Sequence, residues 1–202
     1  MAKYDVTTTE GDFEAGSNGA VLKNKLGIVT VDDINEAETE LLIKLYELVI
    51  IETEYSELTV ANITTWHQWW LGNVYEWAGE YRSVNMSKGG FQFAAAQQIP
   101  RLLEEFQREF LSLFEDLSTL DKEEVITFIA KSHVEFILIH PYREGNGRLS
   151  RLLMDVLAVQ AGFDVLDYQI WDENKEFYFK SIQAGVLGDY QHIERLVRDV
   201  LN

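Results

Sequence analysis

The sequence predicts an all-α fold with one short β-hairpin. Three observations predict it. Apolar residues recur at helical spacing over most of the chain. Lys88-Gly89-Gly90, set between β-forming Val84 and Phe91, is the signal of a hairpin turn. Both prolines, Pro100 and Pro141, mark helix boundaries rather than helix interiors. A length of 202 residues fits one domain with a sizeable core.

Residues 1–20 are rich in Thr, Glu, Gly, Asp and Asn and read as a flexible N-terminal arm. Residues 21–202 read as the single domain. Asp32 or Asp33 is placed to cap a first helix with Ile34, Ala37, Leu41, Leu42, Leu45, Leu48 and Val49 on one side. A second helix covers Val60–Leu71, where Trp66, His67, Trp69 and Trp70 form a core stripe. Residues 79–93 change character, and Tyr81, Val84, Phe91 and Phe93 build a two-stranded flap around the glycine pair. Pro100 opens a helix over residues 101–117 with Leu102, Leu103, Phe106, Phe110 and Leu113 facing inward.

Asp121 and Glu124 form a capping arrangement for the next helix, whose buried side is Val125, Phe128, Ile129, Phe136 and Ile137. From Asn146 a central helix carries Leu149, Leu152, Leu153, Val156 and Leu157, and Gly162 stands where a C-terminal cap belongs. Two shorter helices follow, over 173–185 and 190–201.

Bulk properties exclude several functions. There is no cysteine, so disulfides, zinc knuckles and thiol chemistry are out; this accords with a cytoplasmic location. The N-terminus lacks the apolar stretch of a secretory signal, and apolar runs such as Leu48-Val49-Ile50-Ile51 are too short to span a bilayer. A formal net charge of −17 repels nucleic acid backbones, so neither nucleic acid nor membrane is an expected partner.

Against this acidity one junction stands out: His140-Pro141-Tyr142-Arg143-Glu144-Gly145-Asn146-Gly147-Arg148-Leu149-Ser150-Arg151. Three arginines share twelve residues with one glutamate. Gly145 and Gly147 let the backbone present its N–H groups, and the start of a helix adds unpaired amides and partial positive charge. A phosphate is the usual occupant of such a place. Glu144 beside a polyphosphate suits Mg²⁺, which takes one or two carboxylates plus substrate phosphates. His140 is then a base within reach of the phosphate. His133, seven residues earlier, is read as a core histidine. Two histidines do not make a metal site, and His133-x-Glu135 lacks the cysteines a zinc deaminase needs. His67 and His192 are assigned structural or surface roles.

The twelve residues resemble the signature of the Fic (filamentation induced by cAMP) family, H-x-F-x-[DE]-G-N-G-R-x-x-R, with Tyr142 where phenylalanine is usual. Asn18-Gly19-Ala20-Val21-Leu22-Lys23-Asn24-Lys25-Leu26-Gly27-Ile28 is similar to the N-terminal segment of bacterial Fic toxins. Val74-Tyr75-Glu76-Trp77-Ala78-Gly79-Glu80-Tyr81-Arg82 is similar to the stretch leading into the family's flap. The resemblance implies a Fic-type helical bundle and transfer of AMP from ATP to a Tyr, Thr or Ser hydroxyl of a target protein. It implies His140 as general base, Glu144 as holder of Mg²⁺, and Gly145, Asn146, Gly147, Arg148 and Arg151 as the phosphate site. Ser83, Val84, Asn85, Met86 and Phe91 of the flap would dock the target by main-chain pairing.

Removal of AMP from a target and a non-catalytic nucleotide-binding module are the alternative functions, and the donor nucleotide has no local signature. Many Fic proteins are inhibited by a glutamate in the pattern [ST]-x-x-x-E-[GN]. Glu10-Gly11 follows Val6, Glu173-Asn174 follows Gln169, and Thr53-x-x-x-Glu57 is followed by Leu58. The strict pattern is absent, so the expected inhibitor is a separate small antitoxin-like protein.

Overall fold

Thr30, not Asp32 or Asp33, opens the first helix, α1 (Val31–Tyr46): its side chain accepts the Asp33 backbone N–H. Asp32 and Asp33 fall instead in the first turn, where acids favour the positive end of the helix dipole. The computed structural model describes residues 5–6 and 12–201. Within them α1 runs on through a π-helical turn, Glu47–Glu52, before α2 (Val60–Leu71), which Thr59 and Asn62 close with a capping box.

The hairpin forms where the glycine pair predicts it. Strands β2 (Met86–Lys88) and β3 (Phe91–Gln92) pair antiparallel across Gly89 and Gly90, whose φ values are +57° and +79°. Positive φ at both central residues suits the twist of a hairpin, which is why glycine is used there. A third strand, β1 (Asp5–Val6), pairs antiparallel with the other edge of β2, giving the order β1-β2-β3. Part of the segment expected as a loose arm is therefore paired with the flap. Residues 12–24 are also tied down, by the Phe13–Leu22 bridge and by Lys23 N–H to Asp12 O at 2.8 Å.

Helix α3 (Ile99–Glu109) stops short of residue 117. The chain tightens into two 3₁₀ turns, Leu111–Leu113 and Glu115–Thr119, which bury Leu111, Phe114 and Leu117 and leave Leu113 exposed. That three-residue spacing is the 3₁₀ repeat, so an α-helical reading selects the wrong leucine.

Helix α4 (Lys122–Ile139), opened by the Asp121–Glu124 capping box, packs against α3, α5, α7 and α8. It is buried nearly all round. Helix α5 (Asn146–Gln160) lies beside it and ends at Gly162 (φ +90°), where Phe163 N–H reaches back to Ala158 O at 3.0 Å. A short α6 (Gln169–Glu173), then α7 (Lys175–Val186) and α8 (Gln191–Val200), complete the bundle. A Cβ on Gly185 would lie 2.9 Å from Val134, so glycine there lets α7 approach α4 closely. Trp66 and Trp70 are core residues as expected, but Trp69 is 51% exposed because it falls on the outer side of α2. Among the described residues no helix is long and apolar enough to cross a membrane.

Candidate active site

His140 ends α4 in the left-handed conformation (φ 49°, ψ 60°), which few non-glycine residues adopt. Its N–H still closes the helix on Phe136 O at 3.0 Å, and Pro141 prevents another turn. The reversal faces the ring toward the flap, where it stacks on Phe93 at 3.7 Å and 11°. Nδ1 lies 3.2 Å from the Ile137 carbonyl. A carbonyl can only accept, so Nδ1 carries the proton and Nε2 keeps the basic lone pair.

The loop from His140 to α5 is braced from beneath by His67. The Gly79 N–H donates to His67 Nδ1 at 2.8 Å, which leaves Nε2–H to donate to the Glu144 carbonyl at 3.2 Å. Burial pushes this imidazole down to about 4, so the brace is neutral. Its ring stacks on Tyr142 at 3.9 Å, and the Tyr142 hydroxyl finds Thr64 Oγ1 at 3.1 Å.

Gly145 (φ +83°) is the N-cap of α5 and has no side chain with which to cap it. A Cβ on Gly145 would lie 2.7 Å from the Trp70 ring, so both conformation and space require glycine. A Cβ on Gly147 would meet nothing within 4 Å, so its face of the helix start is open to close approach. The Asn146 carboxamide turns back on the loop: Oδ1 accepts the Tyr142 N–H at 2.9 Å and Nδ2 donates to the Tyr142 carbonyl at 2.7 Å. Glu144 is 7% exposed; its Oε1 accepts the Gly145 N–H at 2.9 Å and lies 3.6 Å from Arg148 Nη2.

Arg148 and Arg151 stand one turn apart on α5. Arg148 lies over Trp70 at 4.5 Å and pairs with Glu38 of α1. Arg151 lies over Tyr168 at 4.8 Å and makes a two-pronged pair with Asp172 of α6, at 2.7 and 3.0 Å. The arrangement gathers a basic imidazole nitrogen, a glycine-capped helix start, one carboxylate and two guanidinium groups.

The Fic/DOC family profile matches residues 57–158, half of the chain. The chain belongs to the Fic/DOC family. It is 25% identical to protein adenylyltransferase fic-1 of Caenorhabditis elegans over 199 residues, covering 96% of this chain and 38% of that protein. It thus spans well under half the length of that relative. It is 23% identical to the probable protein adenylyltransferase Fic of Escherichia coli K12 over 193 residues, covering 90% of this chain and 88% of that one. The BepC protein of Bartonella tribocorum, whose crystal structure holds AMPPNP, shares the fold: TM-score 0.75 and 24% identity, over 90% of this chain and 92% of that chain.

In this Fic domain the flap residues alternate. Val84 and Met86 are buried, Ser83 and Asn85 are exposed, and Phe91 is half-buried. The main chain of Val84 and Met86 is also engaged: Met86 pairs with Val6 of β1 and accepts the Phe93 N–H at 3.1 Å, and the Val84 carbonyl accepts from Arg82. Asn85 Oδ1 accepts the Ala96 N–H at 2.9 Å. A cavity of about 460 Å³ opens beside the flap's entry, walled by Lys23, Lys25, Trp77, Tyr81, Ser83 and Arg143.

Three residues at the site escape a reading of the signature. Glu38 holds Arg148, and Tyr75 O–H donates to Glu38 at 2.6 Å. A signal existed, since Glu38 falls on the apolar face of α1 between Ile34 and Leu45 and is 3% exposed. Arg82 donates from Nε to the His140 carbonyl at 2.7 Å. Asp172 on Arg151 had no local signal beyond lying next to the near-match at Glu173-Asn174.

Proposed function

We propose that this Fic domain transfers AMP from ATP to a Tyr, Thr or Ser hydroxyl of a target protein. The observation that carries the reading is the His140 tautomer. The Ile137 carbonyl fixes the proton on Nδ1, so Nε2 is the base, five residues before a glycine-capped helix start of the kind that suits phosphates. The relatives named protein adenylyltransferase and the AMPPNP held by BepC support the same chemistry.

His140 Nε2 takes the proton as the hydroxyl oxygen bonds to the α-phosphorus. The bond from that phosphorus to the bridging oxygen breaks, and pyrophosphate leaves. The amides of Asn146 and Gly147 hold the phosphates, that of Gly145 being taken by Glu144 Oε1, with Asn146's side chain shaping the loop rather than reaching outward. Arg148 and Arg151 balance the remaining charge. The residues also fit Mg²⁺. Glu144 contributes a single carboxylate at the helix start, and among the described residues no cluster of three or more ligating side chains competes for a metal. Such a donor set suits an ion shared with substrate phosphates, where Mg²⁺ neutralises phosphate charge.

The target segment would pair with the flap. Because β1 lies on β2, the edge of β3 at Phe91–Gln92 is the side that accepts an added strand while β1 is in place. A separate antitoxin-like inhibitor and a cytoplasmic setting remain part of this reading, from the absent inhibitory pattern and the absent cysteine. The test is incubation of the protein and Mg²⁺ in a lysate with ATP labelled at the α- or the γ-phosphate. Beyond the label taken up by the lysate without the enzyme, label should pass to protein from the α position only. Label from the γ position alone would make the enzyme a kinase and overturn the proposal.

A further inference from the structure

We propose that Arg82 is a positioning residue that fixes the flap and His140 as one unit, so that the docked hydroxyl and the base are set by a single side chain. This rests on the transfer reading above. Arg82 is 5% exposed. Buried arginines ordinarily face a carboxylate. The hydrogen bonds of Arg82 go instead to four carbonyl oxygens: Val84 at 2.5 Å, Ala94 at 2.6 Å, His140 at 2.7 Å and Ile139 at 3.2 Å. Its backbone N–H adds Pro141 O at 2.8 Å. Burial lowers the guanidinium to about 10, the expected cost of a cation facing dipoles instead of an anion.

The partners show what this arrangement is for. Ile139 and His140 are the last carbonyls of α4, the negative end of its dipole, and a cation there stabilises the helix end. Capping alone would need only those two. Val84 and Ala94 are the two legs of the flap, one before β2 and one after β3. Ala94 N–H is in turn held by Leu138 O at 2.9 Å, and Phe93, beside it, stacks on the His140 ring. A shift of either flap leg is thus transmitted to the His140 backbone through Arg82 and to its ring through Phe93. Arginine's planar fork of five donors can reach all four carbonyls; lysine's ammonium has three donors on one atom.

The experiment compares the full chain with Arg82→Lys and Arg82→Gln by three readouts: ATP binding by calorimetry, the transfer rate, and the ring signals of the four histidines by NMR. The hydrogen bonds of Arg82 go to residues 84, 94 and 139–141 and not to 145–151, so the ATP dissociation constant should stay within about 2-fold. The transfer kcat should fall by about 10–100-fold, the range expected when a reacting group is misplaced by about 1 Å, and less in Arg82→Lys. The His140 signal should shift while those of His133 and His192 hold. A structural role alone would move all signals together and weaken ATP binding in step. That result, an unmoved His140 signal, or an unchanged kcat would overturn the proposal. If Arg82→Gln does not fold, Arg82→Lys decides. A parent that transfers nothing fails the function above, and the His140 signal still decides this inference.

Discussion

The carboxylate of Glu38, buried in α1, pairs with the guanidinium of Arg148 in α5 while accepting the Tyr75 hydroxyl at 2.6 Å. The two residues are 110 positions apart, and the pair ties the N-terminal helix to the start of α5. Glu38→Gln keeps the shape but leaves Arg148 with only the more distant Glu144, at 3.6 Å, as buried counter-charge. It should cost about 1–3 kcal/mol of stability. Bound ATP should return part of that loss, because its phosphates supply an anion to the folded state only. Thermal unfolding with and without ATP should therefore show a larger ligand-induced rise in the variant. An equal rise in parent and variant would detach Arg148 from the phosphate site.

Asp172 of α6 pairs with Arg151, and on the proposed reading ATP shares or displaces it. Both side chains are part exposed, 49% and 25%, so the pair contributes at most about 1 kcal/mol. Asp172→Asn should tighten ATP binding by up to about 5-fold, the equivalent of that energy. Calorimetry would check this. Weaker binding in Asp172→Asn would instead make Asp172 a support for Arg151.

Two buried histidines and one buried acid set opposite pH trends. Burial pushes His67 down to about 4 and His133 down to about 3, so both are neutral in the fold. The unfolded chain takes up their protons near pH 6.5, so stability falls as pH drops from there toward 4. Asp155 is 1% exposed and receives hydrogen bonds from Tyr46, Tyr168 and the Leu166 N–H. Burial still raises its carboxyl to about 6. Its folded form holds a proton that the unfolded form loses, so its own contribution falls as pH rises from about 4 to 6. Asp155→Asn removes only this second trend. Relative to the parent it should gain stability across that window, by an amount on the order of 3 kcal/mol at pH 7. Denaturant titrations at pH 4, 5, 6 and 7 measure the difference; a constant difference would show Asp155 ionised throughout.

Tyr142 departs from the phenylalanine of the signature. Its stacking on His67 needs only the ring, and its hydroxyl adds the Thr64 contact. Tyr142→Phe should lose about 1 kcal/mol and keep full transfer activity. A loss of activity with unchanged stability would give the hydroxyl a part in the chemistry.

How much of this was legible follows from distance along the chain. His140, Glu144, Gly145, Asn146, Gly147, Arg148 and Arg151 are nearly contiguous, and the geometry that joins them is one helix end, one loop and one helix start. The hairpin was legible because Gly89 and Gly90 meet a local backbone demand. Glu38, Arg82 and Asp172 reach the site from other elements; the apolar face of α1 marks Glu38 as buried, but no local pattern names the partner of any of the three. Local chemistry also misled in places. Thr30 outcompeted Asp32 and Asp33 as cap, and a change of helical repeat after Glu109 replaced Leu113 with Leu111 and Phe114 in the core. The pairing of Asp5–Val6 with β2 depends on a strand some 80 residues away, which a polar composition does not disclose.

The most direct test of the central claim is mass spectrometry of the protein and of lysate proteins incubated with it, ATP and Mg²⁺, beside the His140→Ala variant. The account predicts an added AMP on a hydroxyl with the parent and none with His140→Ala, which should still fold and bind ATP as the parent does. Equal modification by both proteins would contradict it, because His140 would then not be the base.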